Sequence, residues 1–340
     1  MSSEAKQSMS ITGLGPHGEK AVPGDQITLT ATEAKQAHSR RFNVAVVLHT
    51  TSSDWSKQEL AGIVTSLGRY SAAVVDVVDC GFDAVVQAEA LDRLVKERPD
   101  AIISIPIGNI AVAEAHRRVT AAGIKLLLLD NAPTGLMPGS DYVSVISADN
   151  FGLGAIGAEL LSGHIRPGGT AGILAYGADF YATHEREIAF RTWMGKQRPD
   201  VKLVRAKFPD VGQVGATMQA LLVDNPGLAG LFAVWDVPAM HAVNALKSLG
   251  LALPMTTVDL GNEVAEELGA HGMIKGIAAQ RPFDQGVAAG RAALIALTGG
   301  QPAPWIALPG LSVSDDNLIA AYQVVWHSPA PATLRGNRRG

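Results

Sequence analysis

Several features that mark particular classes of protein are scarce or missing in this 340-residue sequence. It contains one cysteine, Cys80, so no disulfide can form within the chain, and no nearby base marks this thiol as a nucleophile. We expect Cys80 to be a small buried residue near the end of a strand. No apolar run reaches the ~18 residues of a membrane-spanning helix. With a formal net charge of -4 and no basic patch, the sequence indicates no nucleic-acid partner.

The composition is that of a globular protein with large cores, because 47% of the residues are hydrophobic and 18% are charged. The length predicts two domains. Residues 1–41 are polar and lack a steady period, so we expect a mostly irregular N-terminal extension. They also lack the apolar core of a signal peptide, so either the protein stays in the cytoplasm or a signal has been cleaved.

From residue 42 onward, strand and helix patterns alternate, which predicts βαβ units and parallel sheets. In the first half we expect strands at 44–49, 72–78, 101–105 and 125–129, and helices at 55–69, 84–97 and 110–122. The alternation restarts after residue 147. There we expect helices at 151–164, 183–197, 213–224, 238–249, 263–269 and 284–298, and strands at 171–176, 202–207, 228–234, 256–260 and 274–279. The short join at 147–150 predicts two lobes that hinge over a cleft, where ligands often bind.

The run LLLLDN at 126–131 is the most informative segment. An uninterrupted apolar run is typical of a strand buried on both faces, and this one ends on Asp130 and Asn131. Ligands of open α/β sheets bind outside the carboxyl ends of the strands. A carboxylate and an amide at that edge suit a ligand rich in hydroxyl groups.

Other polar and aromatic side chains also follow predicted strands. Taken one at a time, these residues have simpler explanations. Trp55 and Trp235 could pack in the core, and Asp236 could cap a helix ahead of Pro238. Together they suit a sugar, which is held by planar polar groups and aromatic faces. No nucleophile and base pair is evident, so we do not expect an enzyme. The set is His49, Ser53, Trp55, Asp130, Asn131, His184, Trp235, Asp236, Asp259 and Gln280.

Two motifs suggest other chemistries. Gly152, Gly154 and Gly157 spell G-x-G-x-x-G, the mark of a dinucleotide site, but they fall inside a predicted helix instead of directly after a strand. We interpret them as packing glycines and keep an NAD-dependent oxidoreductase as an alternative. His184 begins a motif like that of a zinc-protease helix, but the second histidine is missing, so we predict no metal site and no cofactor.

Six segments, in order, resemble the type I periplasmic solute-binding proteins, in the ribose-binding-like branch of ABC sugar importers. The resemblance covers roughly residues 42–326. It implies two Rossmann-like α/β lobes with parallel sheets, joined by a three-strand hinge, that close over one small solute. The segments are VAVVLHTTSSDW (44–55), DAIISIP (100–106), GIKLLLLDN (123–131), SADNFG (147–152), AVWDVPA (233–239) and AQRPFDQG (279–286).

The resemblance also implies ligand-binding residues. Asp130 matches the hydroxyl-binding aspartate of the family, and Gln280 matches its hinge-side glutamine. His49, Ser53 and Trp55 fall in the first ligand loop.

Other positions depart from the family pattern. Asn131 and His184 stand where arginines are usual, Trp235 stands where asparagine is usual, and Asp259 with Leu260 replaces an aromatic–aspartate pair. Because no other side chain reproduces the fork of arginine, these changes disfavour a strongly anionic ligand and favour a neutral sugar or polyol. The histidines suggest an affinity that depends on pH between about 5.5 and 8.

The same resemblance implies a periplasmic monomer that delivers its solute to an ABC permease in the inner membrane. The expected domains are an extension at 1–41, an N-terminal lobe at 42–148 plus 281–310, a C-terminal lobe at 149–280 plus 311–330, and a tail at 331–340. A regulator of the lac-repressor type is a further alternative, although residues 1–41 are too short for its ~50–60-residue DNA-binding segment. A receptor that signals to a sensor kinase is also compatible with the sequence.

Overall fold

The computed structural model describes residues 10–336. In chain order its strands are β1 Val22–Pro23, β2 Asn43–Leu48, β3 Ala73–Asp79, β4 Ala101–Ser104, β5 Lys125–Leu129, β6 Ser144–Ala148, β7 Thr170–Tyr176, β8 Lys202–Phe208, β9 Leu228–Ala233, β10 Met255–Val258, β11 Ile274–Ala279, β12 Trp305–Leu308 and β13 Leu311–Val313.

Twelve α-helices accompany these strands in the described part of the chain. They are α1 Ala31–Arg40, α2 Asp54–Arg69, α3 Ala84–Glu97, α4 Ala113–Ala121, α5 Asn150–Ser162, α6 Tyr181–Gln197, α7 Val214–Asp224, α8 Asp236–Ser248, α9 Asn262–Gly269, α10 Pro282–Leu297, α11 Leu318–Trp326 and α12 Ala332–Gly336.

The strands form two sheets with the orders β1-β12-β6-β5-β4-β2-β3 and β13-β11-β10-β9-β7-β8. Among the described strands, only the β11–β13 pair is antiparallel. We call the first sheet with α1–α4 and α10 the first lobe, and the second sheet with the other helices the second lobe. The predicted fold class of two α/β lobes with parallel sheets is confirmed.

Apolar residues bury both faces of the first sheet. Along β2, Val44, Val46 and Leu48 face one cluster of buried side chains, while Ala45 and Val47 face another. This alternation is the two-residue period of a strand, and burial on both sides is typical of a parallel sheet covered by helices.

The chain passes between the two sheets three times within the described residues. The crossings are Asp149 between β6 and α5, residues 280–281 between β11 and α10, and residues 309–310 between β12 and β13. These crossings form the predicted three-strand hinge.

The N-terminal extension is more ordered than its composition suggests. Helix α1 begins with a capping box, in which Thr30 and Glu33 bond each other's backbone N–H groups, and β1 pairs with β12. The prediction of a mostly irregular extension is therefore wrong for residues 22–23 and 31–40. The T-x-x-E spacing of a capping box was present in the sequence and was overlooked. Residues 1–9 lie outside the described part, as does the end of the predicted tail from residue 337.

A strap at residues 12–14 ties this extension to the hinge and to the second lobe. Thr12 N and Gly13 N donate hydrogen bonds to the Asp149 carboxylate at 2.7 and 3.0 Å, and Thr12 Oγ1 lies 3.1 Å from it. Tyr181 Oη donates to Leu14 O. Polar partners rather than apolar burial therefore hold the strap in place.

Strands β6, β12 and β13 and helix α11 were not predicted. The three strands have five, four and three residues, too short for a clear period. The predicted strand at 256–260 ends at Val258, which leaves Asp259 and Leu260 in the following loop.

Candidate functional site

A narrow cavity lies between the two lobes. Its walls come from the N-terminal end of α2, the N-terminal end of α8, the loop after β10, the second hinge crossing and the end of α11. Most of these segments follow the carboxyl ends of parallel strands, where ligands of such sheets bind. The lining residues are Asp54, Trp55, Gln58, Asp236, Asp259, Leu260, Gly261, Gln280, Pro282, Val325 and Trp326.

Hydrogen bonds hold the lobes together on either side of this cavity. Asn262 of α9 donates its backbone N and its Nδ2 to Asp54 Oδ2, both at 2.9 Å. Asn262 Oδ1 in turn accepts a hydrogen bond from Tyr322 Oη at 2.7 Å. Farther along the cleft, Tyr181 N donates to Asn131 Oδ1 at 3.3 Å. The structure is thus the closed arrangement of the lobes.

Asp259 and Gln280 form the polar centre of the cavity wall. Gln280 Nε2 donates to Asp259 Oδ1 at 2.6 Å, and both residues are buried. Gln280 Oε1 has no hydrogen-bond partner among the described residues. Burial raises the pKa of Asp259, although the Arg186 charge and the Gln280 hydrogen bond oppose the rise. An unsatisfied buried oxygen at this point is an acceptor for a ligand.

Asp236 is the first residue of α8 and lies beside Asp259. It follows Trp235, which occupies the N-cap position without a side-chain capping bond. Burial, with repulsion from Asp259 and Asp54, raises the pKa of Asp236 well above its ordinary value. The two neighbouring carboxyl groups therefore resist carrying two charges at once.

Asp130 directly follows β5 and has a left-handed backbone, φ 51°, as does Asp259 after β10 with φ 74°. Aspartate enters this region more readily than most residues, because its short side chain bonds locally. Asp130 Oδ1 accepts a hydrogen bond from Ala148 N at 3.4 Å. Burial raises the pKa of Asp130 to about 6, while the charge of Arg186 opposes the rise.

Arg186 is a buried charge beside the candidate site that the sequence reasoning missed. It is buried on α6, where Nε donates to Asn150 Oδ1 and Nη1 donates to Val234 O, both at 2.9 Å. Its charge partly opposes the rise that burial causes in the pKa values of Asp130 and Asp259. The available signal was its helical position, four residues after Ala182 and four before Phe190, which puts an arginine on the buried face.

Comparison with known proteins places the chain in a family. A family model described as a periplasmic binding protein domain matches residues 44–301. The chain belongs to this periplasmic binding protein family. The D-ribose/D-allose-binding protein of Pseudomonas aeruginosa is 22% identical over 223 residues, which cover 65% of this chain and 70% of the relative.

Solved structures show the same fold. One is an ABC transporter solute-binding protein from Agrobacterium vitis with bound α-D-tagatopyranose, with a TM-score of 0.78, 22% identity, and coverage of 85% of this chain and 100% of that one. Another from the same organism, with bound allitol, has a TM-score of 0.71, 20% identity, and coverage of 83% and 98%. The resemblance inferred from the sequence is confirmed.

Three of the nine predicted ligand-binding residues of this periplasmic binding protein line the cavity: Trp55, Asp259 and Gln280. Ser53 instead caps α2, where its Oγ accepts a hydrogen bond from Ser56 N at 3.1 Å. His49 packs behind Trp55 with ring centroids 5.8 Å apart.

The buried histidine of the first loop does not titrate near neutrality. Burial lowers the pKa of His49 to about 4. His49 therefore does not support the expected dependence of affinity on pH between about 5.5 and 8.

Three further predicted residues have partners outside the cavity. Asn131 Nδ2 donates to Pro106 O at 3.1 Å, in addition to the contact of its Oδ1 with Tyr181. His184 Nδ1 lies 3.4 Å from Asp179 Oδ1 on a partly exposed surface. Trp235 packs with centroids 5.2 Å from both Tyr176 and Phe208, so its ring extends the core of the second lobe.

The glycine motif has a packing role. Gly152, Gly154 and Gly157 lie inside α5, where a Cβ at Gly154 would clash with Arg186 O and one at Gly157 with the Phe232 ring. The interpretation as packing glycines is confirmed.

Cys80 is buried just after β3, as expected. Within residues 10–336, no cluster of metal-ligating side chains occurs, and no helix is long and apolar enough to cross a membrane.

Proposed function

We propose that this protein is the solute-binding receptor of an ABC importer, which captures a small sugar or polyol between its lobes and delivers it to a membrane permease. The observation that carries the proposal is the cavity closed between two lobes, lined by strand-end polar groups and two tryptophans. The sugar and polyol ligands of the structurally similar proteins support it.

The space between the closed lobes is narrow, so an oligosaccharide does not fit the closed form, and a small solute enters when the lobes open. Asp259 and Gln280 offer acceptors to hydroxyl groups, and Trp55 Nε1, which lacks a partner among the described residues, offers a donor. The Trp55 and Trp326 rings give apolar faces to the C–H side of a sugar.

We propose that binding energy drives closure instead of a reaction. Ligand contacts to both lobes shift the population toward the closed form, which a permease recognises. The protein would act in the periplasm as a monomer and without a cofactor. The proposed boundaries are those expected from the sequence: 42–148 plus 281–310 for the N-terminal lobe, 149–280 plus 311–330 for the C-terminal lobe, an extension before and a tail after.

Thermal unfolding with a panel of pentoses, hexoses and polyols tests this function. A bound ligand at ~100 times its dissociation constant should add about 2.7 kcal/mol to the free energy of unfolding. The Gln280→Ala variant should lose most of this gain, because it removes the unsatisfied oxygen and the partner of Asp259. As a control, His184→Ala outside the cavity should keep it.

If no sugar, amino sugar or polyol stabilises the protein, the receptor function is contradicted. Stabilisation by NADH alone would favour the dehydrogenase alternative instead.

A further inference from the structure

The cavity wall is rich in carboxyl groups and has no basic side chain among the described residues. Asp54, Asp236 and Asp259 line it, whereas no lysine, arginine or histidine does so among the described residues. Behind the wall, Asp130 and Asp259 feel the charge of a single buried arginine, Arg186.

The protein itself satisfies these carboxyl groups only in part. Asp54 Oδ2 is bonded by Asn262, and its Oδ1 lies 4.0 Å from the exposed ammonium of Lys57. Asp259 has the Gln280 amide as its hydrogen-bond partner. Asp236 and Asp259 form no ion pair with a described residue. The cavity therefore holds a neighbouring pair of acids for which residues 10–336 supply no counter-ion at contact distance.

A second, independent observation indicates that the missing group is a donor. Gln280 is 3% exposed, lines the cavity, and has an Oε1 without a partner among the described residues. The oxygen atoms at the cavity wall thus outnumber its N–H donors, which include Trp55 Nε1 and the Gln58 amide. An ammonium group supplies three N–H donors and a positive charge, whereas a hydroxyl supplies one donor.

The aromatic residues suit the same group. Trp55 and Trp326 line the cavity together with the acids, and the face of a tryptophan ring attracts a cation. Trp326 is held in place, because its Nε1 donates to Leu260 O at 2.9 Å and its ring stacks on Tyr322 at 5.2 Å. Its ring is therefore fixed in the wall of the cavity.

We propose that the solute is a sugar or polyol in which one hydroxyl is replaced by a protonated amine, bound between Asp236 and Asp259 with Gln280 accepting from a neighbouring group. This inference rests on the proposed receptor function and specifies its ligand class. The hydroxyl groups of the ligand would occupy the remainder of the cavity, as those of a neutral sugar or polyol would.

Titration calorimetry with matched pairs tests the proposal. D-Glucosamine is compared with D-glucose, D-galactosamine with D-galactose, and 1-amino-1-deoxysorbitol with sorbitol, each at pH 7. We expect at least one amine to bind tenfold or more tightly than its hydroxyl parent. Asp236→Asn should reduce that preference at least tenfold, because it removes the charge and keeps the shape.

The matched control is Asp224→Asn, which makes the same charge change at an exposed position outside the cleft and should leave the preference as it is. Asp259→Asn provides a second cavity variant in case Asp236→Asn unfolds, and circular dichroism checks the fold of each.

The possible outcomes separate the two levels of the proposal. If the hydroxyl parents bind as tightly as the amines, the amine inference fails and the receptor function stands. A preference for amines that survives both cavity substitutions would overturn the assignment to these aspartates. If no member of any pair binds the folded protein, both the receptor function and the amine inference are contradicted.

Discussion

Asp149 and Thr12 join the hinge to the N-terminal extension through a single carboxylate. Thr12 N donates to Asp149 Oδ2 at 2.7 Å, and Gly13 N donates to Oδ1 at 3.0 Å. The same Oδ1 accepts from Gly152 N at 2.9 Å and so caps α5. One side chain thus holds the first hinge crossing, the start of a helix and the strap.

We expect Asp149→Ala to lower the free energy of unfolding by about 2–4 kcal/mol, because it removes a helix cap together with charge-assisted hydrogen bonds to the strap. Urea unfolding measures the change. Asp83 is a matched control, since it caps α3 through Val85 N and Val86 N without a strap. Asp83→Ala should cost only about 1 kcal/mol. Equal losses in the two variants would mean that the strap contributes nothing.

Gly154→Ala tests the packing of α5 against α6. A Cβ at this position would clash with Arg186 O, so we expect the substitution to destabilise the protein by about 1–3 kcal/mol and to disturb Arg186. Gly163, the C-cap of the same helix, has φ -68° and open space around it. Gly163→Ala should therefore leave the thermal midpoint nearly unchanged, and a similar loss in both variants would argue against the close contact.

Asp130 should make the ligand-free protein less stable as the pH rises. Its pKa of about 6 in the folded state exceeds its ordinary 3.8, so between these values the folded protein binds more protons than the unfolded chain. The stability contributed by this group is present below pH 3.8 and is lost as the pH rises to 6.

The Asp130→Asn variant should therefore gain stability relative to the natural sequence as the pH rises from 4 to 7, by up to about 3 kcal/mol. Denaturant unfolding at several pH values measures this difference. Comparing the two proteins cancels the opposite contribution of His49, which becomes more favourable as the pH rises from about 4. Parallel stability curves for the two proteins would refute the assignment.

Asn262→Ala tests the contact that closes the cleft. It removes the 2.9 Å bond from Nδ2 to Asp54 and the partner of Tyr322, but leaves the backbone bond in place. We expect ligand dissociation to become about tenfold faster, because roughly 1.4 kcal/mol is lost mainly from the closed form. Stopped-flow tryptophan fluorescence follows this rate. Tyr322→Phe should have a smaller effect, and an unchanged rate in Asn262→Ala would show that the contact does not hold the lobes closed.

Much of the fold was predictable from local patterns. Helix α3 and strands β5 and β11 have the predicted boundaries, since α3 has a clear apolar period after a capping aspartate and β5 is an uninterrupted apolar run. The strand-end positions of Asp130 and Asp259 followed from the same patterns. Strands β12 and β13 did not, since strands of four and three residues are specified by their neighbours in the sheet.

The candidate site was predictable only where it follows a strand. Trp55, Asp259 and Gln280 were found in this way. Trp326 was not, because it reaches the cavity from α11, a helix far along the chain whose position depends on tertiary packing. Local patterns likewise could not show that the Asn131 side chain donates a hydrogen bond to Pro106 O in a neighbouring loop.

The strap has a consequence for how this receptor can be tuned. Residues 12–14 contact the hinge and Tyr181 of the second lobe, yet they precede the matched family domain at 44–301 and do not line the cavity. If opening the lobes must also release the strap, its contacts add to the stability of the closed state and so to apparent affinity. We therefore expect substitutions in the strap to change the residence time of every ligand by the same factor, leaving the ranking of ligands as it is.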